Sequence, residues 1–164
     1  MERRNFIKSF MTTSAAVAVA PAMVMAKEEA KKEESKKEAI KGPNDLPYEA
    51  ALKAIAGDKE VKDSDKIKLT VPEIAENGAV VPVKVEVDSP MEEKNYVKAI
   101  HVLNTKNSNA RCIDAMLTPA NGEAKFASRI KLAESQDVVA VAALSDGTFI
   151  KAGKGVKVTI GGCG

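Results

Sequence analysis

The sequence contains little of the chemistry that enzymes usually need. Its 164 residues include no tryptophan, one histidine and two cysteines, and aromatic residues make up only 4%. A protein metal centre takes three or four ligands, so the lone His101 predicts a structural residue and no metal site. Phosphate-binding, dinucleotide-binding and serine-hydrolase motifs are also absent. We therefore expect neither an enzyme nor a cofactor, and a core built from Val, Ile, Leu and Ala.

Basic and acidic residues are nearly balanced, which argues against a nucleic-acid-binding protein. The chain has 25 Lys and Arg against 23 Asp and Glu. Residues 1–26 hold three of the basic and one of the acidic residues, so their removal leaves 22 of each sign (25 minus 3, and 23 minus 1). Nucleic-acid binding needs a basic surplus. No such partner is expected.

The first 26 residues have the pattern of an export signal. Arg3 and Arg4 begin a twin-arginine motif, and an apolar, alanine-rich stretch follows from residue 15 to residue 26. Small residues close that stretch, so cleavage is predicted after Ala26. The run is too short for a membrane anchor, which needs about 20 residues. The mature protein is therefore predicted to be periplasmic, exported by the twin-arginine pathway and not attached to the membrane.

Two regions of different composition follow the signal. Residues 27–43 begin with KEEAKKEESKKEAIK, in which eleven of fifteen residues are charged, and end at Gly42-Pro43. Such a segment has no apolar face with which to pack, so we interpret it as a solvated charged linker. Residues 44–160 have the length and apolar content of a single domain with its own core.

The hydrophobic period within residues 44–160 predicts one helix followed by strands. Asn44 or Asp45 can cap a short amphipathic helix that has Pro47 in its first turn and ends at Gly57. Apolar and polar residues then alternate, most clearly over residues 81–87. Further strands are predicted near residues 67–71, 96–104, 112–118, 124–133, 137–145, 148–152 and 155–160. Short strands at this spacing predict an all-β fold, a single antiparallel β-sandwich with a short N-terminal helix.

The last four residues, Gly161-Gly162-Cys163-Gly164, predict an element of another kind. Glycine loses more conformational entropy on ordering than any other residue, so residues 161–164 are predicted to be a mobile arm. The extended backbone from Ile160 to Cys163 spans roughly 10 Å. A thiol on so thin a backbone can enter a narrow site on another protein. Valine at Gly161 or Gly162 is expected to leave the fold intact and to hinder that entry.

The surroundings of Cys163 in the sequence predict a carrier and not a catalyst. No His, Asp or Glu that could activate the thiol lies among the last fifteen residues. Cys112 is the other cysteine, and in an oxidising compartment a disulfide between the two is one alternative. A buried Cys112 thiol at the start of a strand is favoured. An intermolecular disulfide through Cys163, which would make the chain a structural or binding module, is a further alternative.

The ending VKVTIGGCG, together with the segment PEIAENGAVVPV at residues 72–83, resembles the SoxY family of sulfur-carrier subunits from the bacterial thiosulfate-oxidising Sox system. The resemblance covers residues 46–164 and implies an immunoglobulin-like sandwich. It implies that Cys163 is the covalent attachment point for sulfur, and that Gly161, Gly162 and Gly164 give the arm its flexibility. SoxY chains typically end in Gly-Gly-Cys-Gly-Gly, whereas a single glycine follows the cysteine here. The nearer terminal carboxylate would disfavour the thiolate.

The same resemblance implies a set of protein partners. SoxZ, a second small β-sandwich, would form a heterodimer with the chain. The cytochrome complex SoxAX would join thiosulfate oxidatively to the thiol, and the hydrolase SoxB would release the terminal sulfonate as sulfate. A sulfane dehydrogenase is a further partner that could oxidise the sulfur left behind. The carrier itself would have no catalytic residue and no cofactor.

Overall fold

The computed structural model describes residues 45–162. The predicted signal peptide, the charged linker, Asn44, Cys163 and Gly164 lie outside that range. Among the described residues, no helix has the length and apolar character required to cross a membrane. Residues 45–162 contain a 3-10 turn at Pro119–Asn121, one α-helix and nine strands: α1 (Tyr48–Ala56), β1 (Val61–Asp63), β2 (Ile67–Thr70), β3 (Ile74–Asn77), β4 (Val81–Val87), β5 (Val97–Asn104), β6 (Arg111–Met116), β7 (Ala124–Ile130), β8 (Gln136–Leu144) and β9 (Phe149–Ile160).

The strands form two sheets with an apolar core between them, which confirms the predicted all-β sandwich. The larger sheet has the order β1-β9-β8-β5-β6, with β3 also paired to β9, and the smaller has the order β2-β4-β7. Most neighbours are antiparallel, as predicted. The exceptions are β1 and β3, which run parallel to β9 and were not predicted from the sequence. These two short strands contain few apolar residues, so their pairing leaves little periodic signal.

Strand β4 shows how the alternating pattern builds the core of the sandwich. Val81, Val83 and Val85 are at most 2% exposed, whereas Pro82 and Lys84 between them are exposed. The valines pack against buried residues of the larger sheet in a single apolar cluster. Each fully buried valine side chain stabilises the fold by about 1.5–3 kcal/mol. The strand therefore has one face in the core and one face in water.

Strands β5 and β8 are buried on both faces because α1 covers the far side of the larger sheet. Ile100 lies in the cluster between the sheets. Leu103 lies in a second cluster with Ala51 of α1, against which Leu52 also packs. This explains why β5 and β8 are apolar at nearly every position instead of alternating. The helix begins at Tyr48, with Pro47 at its N-cap and no side-chain cap, so the predicted cap by Asn44 or Asp45 is not the one observed.

The last strand, β9, is a single strand where two were predicted. Gly153 and Gly155 suggested a turn between residues 152 and 155, yet both pair with β8 in continuous antiparallel register. A Cβ at Gly153 would be 3.6 Å from Val139, an ordinary van der Waals distance. These glycines are thus accommodated within an extended strand. Strand β9 contacts β8 along one edge and β1 and β3 along the other, and it leads directly into Gly161.

Candidate functional site

The end of β9 is hydrogen-bonded to two other backbone segments. We use the term arm root for residues 160–162, which precede Cys163 in the chain. The Gly78 N–H donates to the Ile160 carbonyl at 2.7 Å. The Gly162 N–H donates to the Leu132 carbonyl at 2.9 Å. The Leu132 N–H in turn donates to the Gly78 carbonyl at 2.7 Å, so three segments distant in sequence form one hydrogen-bonded junction.

Close backbone approach explains why glycine occurs at the junction. A Cβ on Gly161 would lie 2.2 Å from the Ala133 carbonyl oxygen, and one on Gly162 would lie 2.6 Å from the Ala79 nitrogen. A Cβ on Gly78 would lie 2.2 Å from the Leu132 carbonyl oxygen. Real Cβ contacts are essentially never shorter than 3.0 Å, so only glycine fits without a backbone shift.

This geometry adds a condition to one expectation about the glycines. Valine at Gly161 or Gly162 was expected to leave the fold intact, but either side chain would collide with backbone atoms unless the arm root leaves its docked position. The two residues are docked in the structure and have a packing role. Gly164 lies beyond the described residues, and a carrier role for all three glycines stays a prediction.

Two exposed apolar side chains lie at the arm root and near it in the junction. Ile160 is 67% exposed, and Val80, which follows the Gly78–Ala79 contact, is 54% exposed. Large apolar side chains this exposed are few in residues 45–162. They give the arm root an exposed apolar surface.

Cys112 is a free, half-buried thiol in β6. Its Sγ accepts a hydrogen bond from Asn104 Nδ2 at 2.9 Å. Burial raises the pKa of the Cys112 thiol, and the hydrogen bond from Asn104 only partly opposes that effect. The nucleophile in sulfur chemistry is the thiolate. Cys112 is therefore poorly suited to attack, and it is a free thiol in this structure.

His101 forms a small polar cluster with two residues of β6. The buried imidazole Nδ1 is 2.5 Å from Asp114 Oδ1, and Arg111 Nε donates to both oxygens of the same carboxylate at 2.9 and 2.8 Å. Burial would raise the pKa of Asp114, but the hydrogen bonds with His101 and Arg111 outweigh it and lower that pKa. Within residues 45–162, no group of three or more His, Cys, Asp or Glu side chains could hold a metal ion. The cluster ties β5 to β6.

Sequence reasoning identified the glycines of the arm but missed the residues that receive them. Gly78 belongs to the Asn-Gly pair of the segment at 72–83, which the sequence marks only as part of a resemblance. Leu132 and Ala133 lie between two strands with no motif of their own. Their contacts are made with residues about thirty and fifty positions away, which a local pattern does not reveal.

Comparison with known families decides where the chain belongs. The family model described as sulfur oxidation protein SoxY matches residues 52–163, more than half of the chain. The chain belongs to the SoxY family. The match includes Cys163 and all of the described junction. This confirms the resemblance that the C-terminal motif and the segment at 72–83 suggested.

Solved structures agree with this assignment. The sulfur carrier protein SoxY from Chlorobium limicola f thiosulfatophilum is 28% identical, with a TM-score of 0.59 over 68% of this chain and 96% of that one. A superoxide reductase (neelaredoxin) from Ignicoccus hospitalis is 19% identical, with a TM-score of 0.52 over 57% of this chain and 80% of that one. At so low an identity the second similarity shows the fold alone. No curated protein matches the chain.

Proposed function

We propose that the chain is a periplasmic sulfur carrier that holds thiosulfate-derived intermediates covalently on Cys163. The observation that carries the proposal is the SoxY family match, which extends through Cys163. Of the two cysteines, Cys112 is half-buried and has a raised pKa, so it is the poorer candidate. Cys163 directly follows Gly162, whose N–H is held by Leu132. The twin-arginine motif at residues 3–4 supports the periplasmic location.

The covalent step is an oxidative joining of two sulfur atoms. The Cys163 thiolate and the terminal sulfur of thiosulfate form an S–S bond, which gives an S-thiosulfonate on the cysteine and releases two electrons. A c-type cytochrome complex such as SoxAX would accept those electrons. Hydrolysis by SoxB with one water then breaks the bond to the sulfonate, releasing sulfate and two protons and leaving a persulfide on Cys163. A sulfane dehydrogenase could oxidise that remaining sulfur.

The carrier does no chemistry of its own under this proposal. Several enzymes would act in turn on one tethered intermediate, so that reactive persulfide sulfur is never released into solution. The sandwich is the scaffold that presents the arm, with SoxZ as its heterodimer partner. The exposed Ile160 and Val80 would face whichever enzyme receives the arm.

The test is a mass measurement on matched cysteine variants. Mature protein is incubated with SoxAX and thiosulfate, and its intact mass is recorded for the unsubstituted chain, Cys163→Ser and Cys112→Ser. The unsubstituted chain and Cys112→Ser should each gain one S₂O₃ unit, and Cys163→Ser should gain none. An adduct that persists in Cys163→Ser would remove Cys163 from this role. A disulfide-linked dimer with no adduct would instead support the intermolecular-disulfide alternative.

A further inference from the structure

The segment 131–133, between β7 and β8, has hydrogen-bond partners on both of its edges. Leu132 uses its N–H and C=O toward Gly78 and Gly162 at the junction. In an extended chain the backbone groups of the flanking residues point to the opposite edge. Those groups are the Lys131 carbonyl and the Ala133 N–H, and both bind the side chain of Asn107.

Asn107 takes the place that a neighbouring strand would occupy. Its Nδ2 donates to the Lys131 carbonyl at 2.9 Å, and its Oδ1 accepts from the Ala133 N–H at 3.0 Å. One amide group therefore holds the backbone on both sides of Leu132. A side-chain amide can do this because it carries a donor and an acceptor in one plane, as a peptide group does.

Asn107 is itself fixed by other buried amides. It is 9% exposed, and its Oδ1 also accepts from Gln136 Nε2 at 2.7 Å. Its backbone N–H donates to Asn104 Oδ1 at 3.1 Å. Gln136 Oε1 accepts from the Lys106 N–H at 2.8 Å. Buried hydrogen bonds in such a network strengthen one another, and loss of one member leaves buried groups without partners.

We propose that Asn107 is a positioning residue for the carrier arm: its amide fixes segment 131–133 so that the Leu132 carbonyl holds the Gly162 N–H, one residue before Cys163. The proposal rests on the carrier function of Cys163 and names the device that sets the docked position of the arm root. Removal of the amide would leave the part-buried Lys131 carbonyl and Ala133 N–H without this partner. The segment would then move toward water and release Gly162.

Ser135 provides a matched control on the same connection. Its hydroxyl accepts from the Val158 N–H at 2.9 Å and donates to the Val158 carbonyl at 3.4 Å. It is thus a side chain that pairs with β9 as Asn107 pairs with segment 131–133. Because Val158 lies within the strand and before the arm root, loss of Ser135 should not reach Gly162.

The experiment is residue-resolved amide hydrogen exchange on the mature chain and on Asn107→Ala, Ser135→Ala and Val85→Ala. In Asn107→Ala the Gly162 and Leu132 amides should exchange about tenfold faster, the effect of losing a buried hydrogen-bond partner. Ser135→Ala should accelerate Val158 and leave Gly162 unchanged. Val85→Ala, which opens a core cavity, shows how much exchange at Gly162 follows from global destabilisation. The proposal would be overturned if Gly162 exchanged equally fast in Asn107→Ala and Val85→Ala once the two variants were compared at the same global stability. It would also be overturned if the Gly162 amide were not protected in the unsubstituted chain.

A second variant keeps the test decisive if Asn107→Ala does not fold. In Asn107→Asp, the protonated acid can accept from Ala133 and donate to Lys131, whereas the carboxylate cannot donate. Protection of Gly162, normalised to intrinsic exchange, should therefore be near normal at acid pH and fall as pH rises. The other titratable residues near Asn107 and segment 131–133 are Lys106, Lys131, Glu134 and Asp137. The unsubstituted chain and Ser135→Ala contain the same four residues, so the pH profiles of these two proteins are subtracted. Loss of protection that does not depend on pH would contradict the donor role.

Loading of Cys163 is measured on the same samples, so the two proposals can fail separately. A normal S₂O₃ adduct with unchanged exchange at Gly162 in Asn107→Ala overturns only the role of Asn107. No adduct on the unsubstituted chain overturns the carrier function, whereas the exchange measurement still decides whether Asn107 holds the arm root.

Discussion

The core between the sheets and the junction at the arm root are stabilised in opposite ways. In the core, Ile100 and its neighbours are fully buried side chains that fill volume. At the junction, Gly78, Gly161 and Gly162 contribute no side chain, and backbone hydrogen bonds join the segments. The core therefore loses stability when atoms are removed, whereas the junction loses its geometry when atoms are added.

Because of that difference, the core is the more stable region and the junction is the one that can open reversibly. Apolar burial is non-directional and proportional to area, so the core resists local opening. A junction made of a few hydrogen bonds near the surface can open and close without disturbing the sheets, because each bond contributes only about 0.5–1.5 kcal/mol net. Under the proposed function, Gly162 benefits from the second kind of attachment, since the Cys163 thiol would have to be both placed and released.

The largest expected effect is on the core. Ile100→Ala removes a side chain that is 0% exposed and should lower the free energy of unfolding by about 2–5 kcal/mol. Urea denaturation measures the loss, and amide exchange at Gly162 is followed in parallel. Because the junction is expected to open locally, exchange at Gly162 should change little. Exchange at Gly162 that accelerated in proportion to the loss of global stability would show that core and junction open as one unit.

A smaller effect is expected when a methyl group is added at the junction. Gly162→Ala places a Cβ 2.6 Å from the Ala79 nitrogen, and relieving such overpacking costs about 1–3 kcal/mol. Undocking of the arm root should limit the loss, so exchange at Leu132 should rise while the sheets stay folded. Gly153→Ala in the preceding strand β9 is the control, because its Cβ would make an ordinary contact and should change stability by less than about 0.5 kcal/mol. Unchanged exchange at Leu132 in Gly162→Ala would contradict the close-approach argument.

Cys112→Ala tests whether the amide network depends on the thiol that accepts from it. Asn104 Nδ2 would lose its 2.9 Å bond to Cys112 Sγ, although it retains a longer contact to the Asn109 carbonyl at 3.5 Å. The expected destabilisation is about 0.5–1.5 kcal/mol by chemical denaturation. Loading of Cys163 should be unaffected. Loss of the thiosulfate adduct in Cys112→Ala would place Cys112 in the chemistry and not in the scaffold.

The smallest effect is expected at the edge of the larger sheet under acid. The pKa of Asp114 is lowered, so its ionised form adds stability that is present above its unfolded pKa and is lost as pH falls through the folded value. The carboxyl is 36% exposed, which keeps the contribution small. Between about pH 5 and pH 2, the unsubstituted protein should lose more stability than Asp114→Asn, as followed by thermal unfolding. Parallel pH profiles for the two would show that the cluster has no such role.

The sequence predicted those parts of the fold that depend on local pattern. Alternation over residues 81–87 predicted β4, and the change of period after Gly57 separated the helix from the strands. It did not predict β1 or β3, because strands of three and four residues with mostly polar side chains have no clear period. Two glycines suggested a break in β9 that pairing with β8 overrides.

The sequence suggested a chemistry for the candidate site but not its surroundings. Cys163 and its glycines were visible as a motif, and the family match extends over Cys163. The partners of the arm root were not visible, because Leu132 and Gly78 come together only through the register of the folded sheets. Asn107 lies between the strands predicted at 96–104 and 112–118, where its residue type commonly forms turns. Its two bonds to segment 131–133 depend on a loop 24 to 26 residues further along the chain.

The continuous run of β9 into the arm root also has a mechanical consequence. A partner that pulled on Cys163 would apply force to β9, a twelve-residue strand that is paired with other strands on both of its edges. Within β9 the force would be shared among many backbone hydrogen bonds. The Gly162–Leu132 hydrogen bond is nearest to the point of pulling, so it would break first. A weak force would therefore release the arm root, while β9 would stay paired within its sheet.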